Sequence, residues 1–424
     1  MKPYNLKGLK KFLISGPFSG FLVTTLKDYI YDICVVGGLG HVGLPLGISF
    51  AKSGKKVVLY DINQEAADLV LHGKMPFMEA GAEEALREVV GKSLFATSER
   101  QVISESRFII LTIGTPIDEH LNPQFTLFKK LLSEIVVLLK DGQHIVIRST
   151  VFPGTTEMVR DFLRFNGRQT KVSFCPERIA EGRAMEELRS LPQIIACFDA
   201  KAREEAKELF SCLTEKIIFL EPKEAELAKL FTNVWRYIQF AISNQFYQIA
   251  TQAGLDFYKI YKAATYEYPR IKGFAHAGFA AGPCLFKDTM QLAAYSNNSF
   301  FLGHAAMLIN EGLPNFIVQK LKEKCDLKNK VVGILGMAFK GDSDDARESL
   351  SYKLKKILEI EARQVLCTDP FVKDDNLVAV NEVTARSDII IVGSPHSAYK
   401  QLKLDFSSKT IVDVWNFLGN GGAF

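Results

Sequence analysis

The chain has 424 residues, 47% hydrophobic and 24% charged, which fits a globular protein of two or three domains. Its net charge of +4 is too slight for a nucleic-acid footprint and supports only a modest attraction for anionic substrates. Seven cysteines, odd in number and scattered without a CxxC pair, argue against a zinc ribbon and a disulfide framework; no metal is expected, and free thiols suit a reducing cytoplasm.

Residues 1–30 read as an N-terminal extension. Lys2, Lys7, Lys10 and Lys11 precede an apolar stretch over 12–23, an order that superficially resembles a secretory leader. Gly16, Pro17 and Gly20 interrupt that stretch, no clean small-residue cleavage pattern follows, and it is too short to cross a bilayer. A surface extension or a misassigned start fits better than a targeting or integral membrane segment.

A dinucleotide-binding, Rossmann-like domain is expected over 31–221. DICVVG and VVLYD are strand-like runs, and GLGHVGLPLGISFAKSG lies between them at helical spacing. Gly38, Gly40 and Gly43, with His41 and Val42 between them, have G-x-G-x-x-G spacing, which serves a tight turn, pyrophosphate access and close helix–strand packing. Asp61 ends the second strand about twenty residues on. A carboxylate there accepts from ribose hydroxyls and repels a 2′-phosphate, so NAD is expected rather than NADP. Strand-like runs over 108–113, 144–148 and 172–174 continue a parallel, doubly wound sheet. Thr115 and Thr150 each follow one of these strands, where ligands collect in such sheets; a Thr there serves equally well as a helix cap. Glu177 and Glu181 share the loop CPERIAEG, and two acids there are candidates for a general base or for positioning a water.

A helical middle domain is expected over 222–325. From 222 to 253 apolar residues recur at helical spacing, and a helix of that length, roughly 45 Å, crosses a domain and often carries a dimer contact. Lys229 and Asn233, four apart, share one face; they are either donors to a developing oxyanion or an ordinary surface Lys and helix-interior Asn. Then comes Gly282-Pro283-Cys284-Leu285-Phe286-Lys287-Asp288. A buried small hydrophobe is the commoner fate of a free cysteine. Here, however, the Gly-Pro turn would hold the thiol at a loop edge and Lys287 would favour the thiolate. Such a thiol can trap an aldehyde covalently so that a nicotinamide can oxidise the adduct. A second helical region follows over about 287–324. The remainder, 326–424, repeats the strand grammar in VVGILGMAF, QVLCTDP, DIIIVGSP and TIVDVW. The expected class is therefore α/β, with two Rossmann-like doubly wound lobes bridged by a long central helix and a helical middle.

On GLGHVGLPLG, GTP, RSTVFPGTT, CPERIAEG, AELAKLFTN, GPCLFKDT and LGMAFKGDSDDARES, in that order, the chain resembles the UDP-glucose/GDP-mannose dehydrogenase family from about residue 31 to about 418. The resemblance implies a double oxidation of the C6 hydroxyl of a UDP-sugar by NAD. Cys284 would form a thiohemiacetal and then a thioester; Glu177 would be the base for hydrolysis, and Lys229 and Asn233 would stabilise oxyanions. Asp288 and Thr150 would hold a catalytic water. It further implies that Thr115, Glu181, Lys287 and Arg347 touch NAD. The nucleotide-sugar would be held by Lys340, Ala281 and the loop Gly273, Phe274, Ala275, His276 and Ala277. Arg270 would reach a partner's substrate, so that a homodimer built on the central helix is implied. The product would be a UDP-uronic acid for surface polysaccharide.

Two departures stand out. The chain has Ala281-Gly282-Pro283-Cys284 where the family often has Gly-Gly-x-Cys, and CPERIAEG leans toward the UDP-N-acetylmannosamine branch while keeping the second Glu of the UDP-glucose type. A GDP-mannose 6-dehydrogenase, a β-hydroxyacid-type dehydrogenase and a non-catalytic NAD or nucleotide-sugar sensor are the alternatives. The β-hydroxyacid type needs neither the thiol nor the C-terminal lobe, and the intact Lys229, Asn233, Cys284 and Asp288 set weighs against a sensor.

Overall fold

Strand β1 (Tyr31–Val36) buries residues on both of its faces. Ile33 and Val35 join a core cluster with Leu59, Leu44 and Phe210, while Cys34 and Val36 join another with Ile109, Leu111 and Leu132. Burial on both sides is the signature of a parallel sheet with helices above and below. The computed structural model describes residues 29–280, 282–402, 406, 408–419 and 421. The expectations for residues 1–28 and for Ala281 fall outside them.

Around β1 stand β2 (Val57–Tyr60), β3 (Leu94–Thr97), β4 (Ser106–Leu111), β5 (His144–Ile147), β6 (Lys171–Phe174), β7 (Gln193–Cys197) and β8 (Ile217–Leu220). Their order is β3-β2-β1-β4-β5-β6-β7-β8, with Val35 opposite Leu59 on one side and Ile110 on the other. The sheet is not wholly parallel as the sequence suggested: β7 runs antiparallel to β6, pairing Ser173 with Cys197. The carboxyl ends of β1, β4 and β5 open into the turns that carry the glycine fingerprint, Thr115 and Thr150.

A 31-residue helix, Pro222–Gln252, leaves this sheet. Its start is fixed by Pro222 at the first helical position and by a reciprocal capping box, in which the Glu221 backbone N–H donates to Glu224 at 2.9 Å. Lys229, Leu230, Asn233, Val234, Tyr237 and Ala241 form its buried stripe. The helices Leu285–Tyr295 and Phe301–Lys324 pack against it; the sequence had read them as one helical stretch.

A second sheet holds β9 (Val331–Leu335), β10 (Gln364–Thr368), β11 (Ile389–Val392) and β12 (Thr410–Val412) in the order β10-β9-β11-β12, every pair parallel. Two α/β lobes joined by a helical middle agree with the fold class read from the sequence.

Candidate active site

Four side chains and one backbone carbonyl, brought together from four parts of the fold, form one chain of hydrogen bonds. Thr115, past β4, donates its hydroxyl to the carbonyl of Thr150, past β5, at 2.5 Å. Lys287 donates to Thr115 Oγ1 at 3.3 Å and to Asp288 Oδ1 at 2.7 Å. Asn233 of the long helix donates to Asp288 Oδ2 at 2.6 Å. Asp288 is fully buried, so both of its oxygens are committed to these partners. Residues distant in sequence thus meet because helix Leu285–Tyr295 lies across both the long helix and the Thr115 turn.

Cys284 stands at the N-cap of that helix, and its carbonyl accepts from Asp288 N at 3.0 Å. The cysteine has exposed surface, yet enough protein surrounds its thiol that burial raises the thiol's pKa. Asp288 adds to the rise, and Lys287 and Lys229 oppose it without overcoming it. Lys287 does favour the thiolate, as the sequence suggests, but in the free protein burial and Asp288 outweigh it. Its ammonium is directed to Asp288 and Thr115, and Asp288 and Cys284 hold it above its usual pKa against the effect of burial. Burial lowers the Lys229 ammonium, while Asp288, Cys284 and Glu177 act in the opposite sense. Lys229 thus lies within electrostatic reach of both the thiol and the Glu177 carboxylate.

Glu177 is buried and anchored. Oε2 pairs with Arg148, and Oε1 accepts from the backbone of Arg178 at 2.6 Å and Ile179 at 2.8 Å. Glu181 is placed differently, where the two lobes meet. Its carbonyl accepts from Lys340, and its carboxylate lies 3.5 Å from Arg347, which is also bonded to Asp345 at 2.6 Å. Burial and the Asp345 carboxylate push Glu181 up to about 7, against Arg347 and Lys340. Burial lowers the Lys340 ammonium, against the raising influence of Glu181 and Glu79.

The loop over 273–277 is fixed from behind. Gln239 donates to Gly273 O at 3.2 Å, Tyr261 to Phe274 O at 2.7 Å, Ser243 to Ala275 O at 2.6 Å and Tyr258 to Ala277 O at 3.3 Å. His276 lies edge-on to Tyr258 and Tyr261. Gly282 has φ +105°, and a Cβ there would lie 2.6 Å from the Phe339 ring; the cysteine turn and the Lys340 loop touch through that glycine. Arg270 is exposed over the Tyr268 ring and does not join the cluster within its own chain.

Sequence reasoning missed three residues that support the site. Arg148 grips Glu177. Glu79 accepts from Gly182 N at 2.9 Å and Ala184 N at 2.7 Å, fixing the Glu181 loop. Glu226, buried in the long helix, accepts from Gly154 N at 2.5 Å and from Thr156 N at 2.8 Å. Arg148 and Glu226 stand inside the motifs RSTVFPGTT and AELAKLFTN, and Glu226 also lies three and seven positions before Lys229 and Asn233 on the same helical face, whereas Glu79 carried no signal.

The chain matches the NAD-binding domain of the UDP-glucose/GDP-mannose dehydrogenase family over residues 31–214, its central domain over 223–311 and its UDP-binding domain over 333–420. The chain belongs to this family. It is 29% identical over 386 residues to the UDP-N-acetyl-D-mannosamine dehydrogenase of Pyrococcus horikoshii, covering 88% of this chain and 92% of that one. The solved structure of the Pyrococcus enzyme superposes with a TM-score of 0.84 at 28% identity, covering 91% and 95% of the two chains. The UDP-glucose dehydrogenase of Pyrobaculum islandicum superposes with a TM-score of 0.83 at 25% identity, covering 92% and 95%.

This dehydrogenase is NAD-dependent, and its first turn fits the cofactor. A Cβ on Gly43 would lie 2.6 Å from Gly37 O, whereas one on Gly40 would meet nothing nearer than 3.8 Å; Gly40 is the position that leaves room for a pyrophosphate. Asp61 receives Leu39 N at 3.2 Å and Asn63 N at 3.1 Å and keeps some exposure for ribose hydroxyls. His41 stacks on Phe77 with ring centroids 4.0 Å apart. Burial and Arg347 lower the pKa of its imidazole, and its Nδ1 has no hydrogen-bond partner among the described residues. Val42 precedes the helix Gly43–Lys52, whose N-terminus faces the same turn.

Proposed function

We propose that the enzyme oxidises the C6 hydroxyl of a UDP-sugar to the carboxylate in two steps on Cys284, making a UDP-uronic acid for surface polysaccharide. A UDP-N-acetylhexosamine is the first choice of substrate and UDP-glucose the second. CPERIAEG and the relatives named as UDP-N-acetyl-D-mannosamine dehydrogenases favour the first. The observation that carries the reading is the continuous Thr150–Thr115–Lys287–Asp288–Asn233 network beside Cys284 and Lys229.

When bound, NAD supplies the hydride acceptor for both oxidations. Asp61 and the Gly38–Gly40–Gly43 turn hold it, with Thr115, Glu181, Lys287 and Arg347 as further contacts. Lys229 and Asn233 donate to the oxyanion that develops on the sugar C6 oxygen. Cys284 adds to the aldehyde, and the tether keeps the half-oxidised sugar in place until a thioester forms. Water then cleaves the thioester, with Glu177 accepting its proton and Thr150 and Asp288 orienting it. Lys340 and residues 273–277 bind the nucleotide-sugar; the fixed carbonyls behind that loop support a preformed cradle.

A cytoplasmic homodimer is part of this reading. Phe231, Trp235, Ile242, Phe246 and Ile249 expose apolar surface at helical spacing along the long helix, and exposed Arg270 would reach the partner's substrate. Among the described residues no helix is long and apolar enough to cross a membrane. The division into units at 31–221, 222–325 and 326–424 belongs to the same proposal.

The test is NADH production over UDP-N-acetylmannosamine, UDP-N-acetylglucosamine, UDP-glucose and GDP-mannose. Two NADH per sugar, abolished by Cys284→Ser while NAD still binds, is the expected result. One NADH per sugar with released aldehyde, or undiminished acid formation by the serine variant, overturns the reading.

A further inference from the structure

We infer that Arg148 is a positioning residue for thioester hydrolysis, acting through Glu177. This rests on the function proposed above and adds a part that neither the sequence motifs nor the family resemblance assigned. Arg148 directly follows β5 and is almost completely buried, and each of its contacts fixes one direction. Nη1 donates to Cys175 O at 3.1 Å and to Gln193 Oε1 at 2.9 Å. Gln193 is itself fastened by its amide to Ile194 O at 2.7 Å. The guanidinium lies over the Phe210 ring, 5.2 Å from its centroid. Its remaining arm, Nη2, holds Glu177 Oε2.

The consequence follows from counting acceptor positions. A carboxylate offers about four, two on each oxygen. Arg178 N and Ile179 N use both on Oε1, and Arg148 uses one on Oε2. One position is left, on Oε2, and its direction is set by the guanidinium. A base held this way accepts a proton along a single line, which is the geometric requirement for activating one particular water.

In the step concerned, the water oxygen adds to the acyl carbon and one of its protons passes to that free position on Glu177 Oε2. The carbon–sulfur bond then breaks and Cys284 leaves as thiolate. The proton of the nascent carboxylic acid returns to the sulfur, and Glu177 gives its proton to solvent. Nothing is oxidised or reduced in this step, so a defect at Arg148 appears after both hydrides have left.

The experiment is a rapid-mixing assay on the full-length enzyme with saturating NAD and the sugar nucleotide that the unaltered enzyme turns over. For Arg148→Met, a burst of two NADH per active site at near-normal rate is expected, followed by steady-state turnover reduced about 100-fold. The mass of the intact protein should rise by the acyl group during turnover. Guanidinium chloride at a sub-denaturing concentration should restore part of the turnover, a response that a merely structural role would not give. Burst and steady state falling together, with no acyl-enzyme and no rescue, overturns the inference. If the methionine variant does not fold, Arg148→Lys decides, because its ammonium keeps a charge in the site but cannot hold Gln193 and Glu177 together. Acyl-enzyme accumulation in that variant supports the role, and wild-type turnover removes it. Retention of two-NADH stoichiometry by Cys284→Ser would instead bring down the parent proposal, so the two failures are distinguishable.

Discussion

The two lobes use the same opening words and give them different meanings. In the first, β1 runs into a glycine turn and Asp61 follows the neighbouring β2. In the second, β9 runs into Gly336 and Asp369 follows the neighbouring β10. Asp61 receives two backbone N–H groups and keeps exposure toward solvent. Asp369 receives five donors. Met337 N at 2.6 Å, Ala338 N at 3.0 Å and His396 at 3.0 Å reach one oxygen, and Phe371 N at 2.8 Å and Val372 N at 3.0 Å reach the other. His396 Nδ1 accepts from Asp342 N at 3.0 Å, so Nε2 carries the proton donated to Asp369. A carboxylate with that many partners has nothing left to offer a ribose. It is a staple that holds the turn presenting Phe339 and Lys340.

The largest effect expected from this contrast is on stability. Asp369→Ala leaves His396 and four backbone donors buried without their acceptor, at a cost of about 3–5 kcal/mol in urea unfolding. Asp61→Asn should leave the unfolding midpoint nearly unchanged and weaken NAD binding by about 1.5–3 kcal/mol, read by titration calorimetry. Equal destabilisation by the two variants would erase the distinction.

Acid titration comes next in size. His396 and the backbone donors outweigh burial and hold Asp369 down at about 2. Its contribution is therefore present above the unfolded carboxylate value of about 3.9 and is lost as pH falls toward 2. Glu181 works in the opposite sense: raised to about 7 by burial and Asp345, it keeps its proton in the folded state between about pH 4.3 and 7, where the unfolded carboxyl is charged. Its contribution is present below about 4.3 and is lost as pH rises through 7. Unfolding free energy measured across pH 2–8 should show both slopes, with Glu181→Gln flattening only the upper one.

The smallest effect concerns the thiol. Burial and Asp288 raise Cys284, so alkylation of the free enzyme by iodoacetamide should accelerate as pH climbs past the ordinary thiol range. Asp288→Asn should bring that rise to lower pH. A profile unchanged by the substitution would show that Asp288 does not act on the sulfur.

What the sequence disclosed follows from how local each signal is. The long helix was legible because its start signals and apolar spacing are contiguous, and the glycine turn because its strand, turn and acid lie within about thirty residues. The antiparallel β7 was not, because the direction of QIIAC is decided by pairing with β6 rather than by its own residues. In the site, Asn233, Asp288 and Lys287 were recognisable by motif, but their mutual bonding depends on how two helices cross. Arg148 opens the motif RSTVFPGTT, yet its role was no more legible than that of His396, since an arginine just past a strand and a loop histidine acquire meaning only through partners 29 and 27 residues away.

Glu226 has a mechanical consequence. Its carboxylate, buried near the start of the long helix, clasps the first turn of Thr155–Phe165, the helix that the segment carrying Thr150 leads into. Helix and segment are thereby yoked. A torque applied along the apolar flank of Pro222–Gln252 would be delivered, as through a crank, to the segment that carries Thr150.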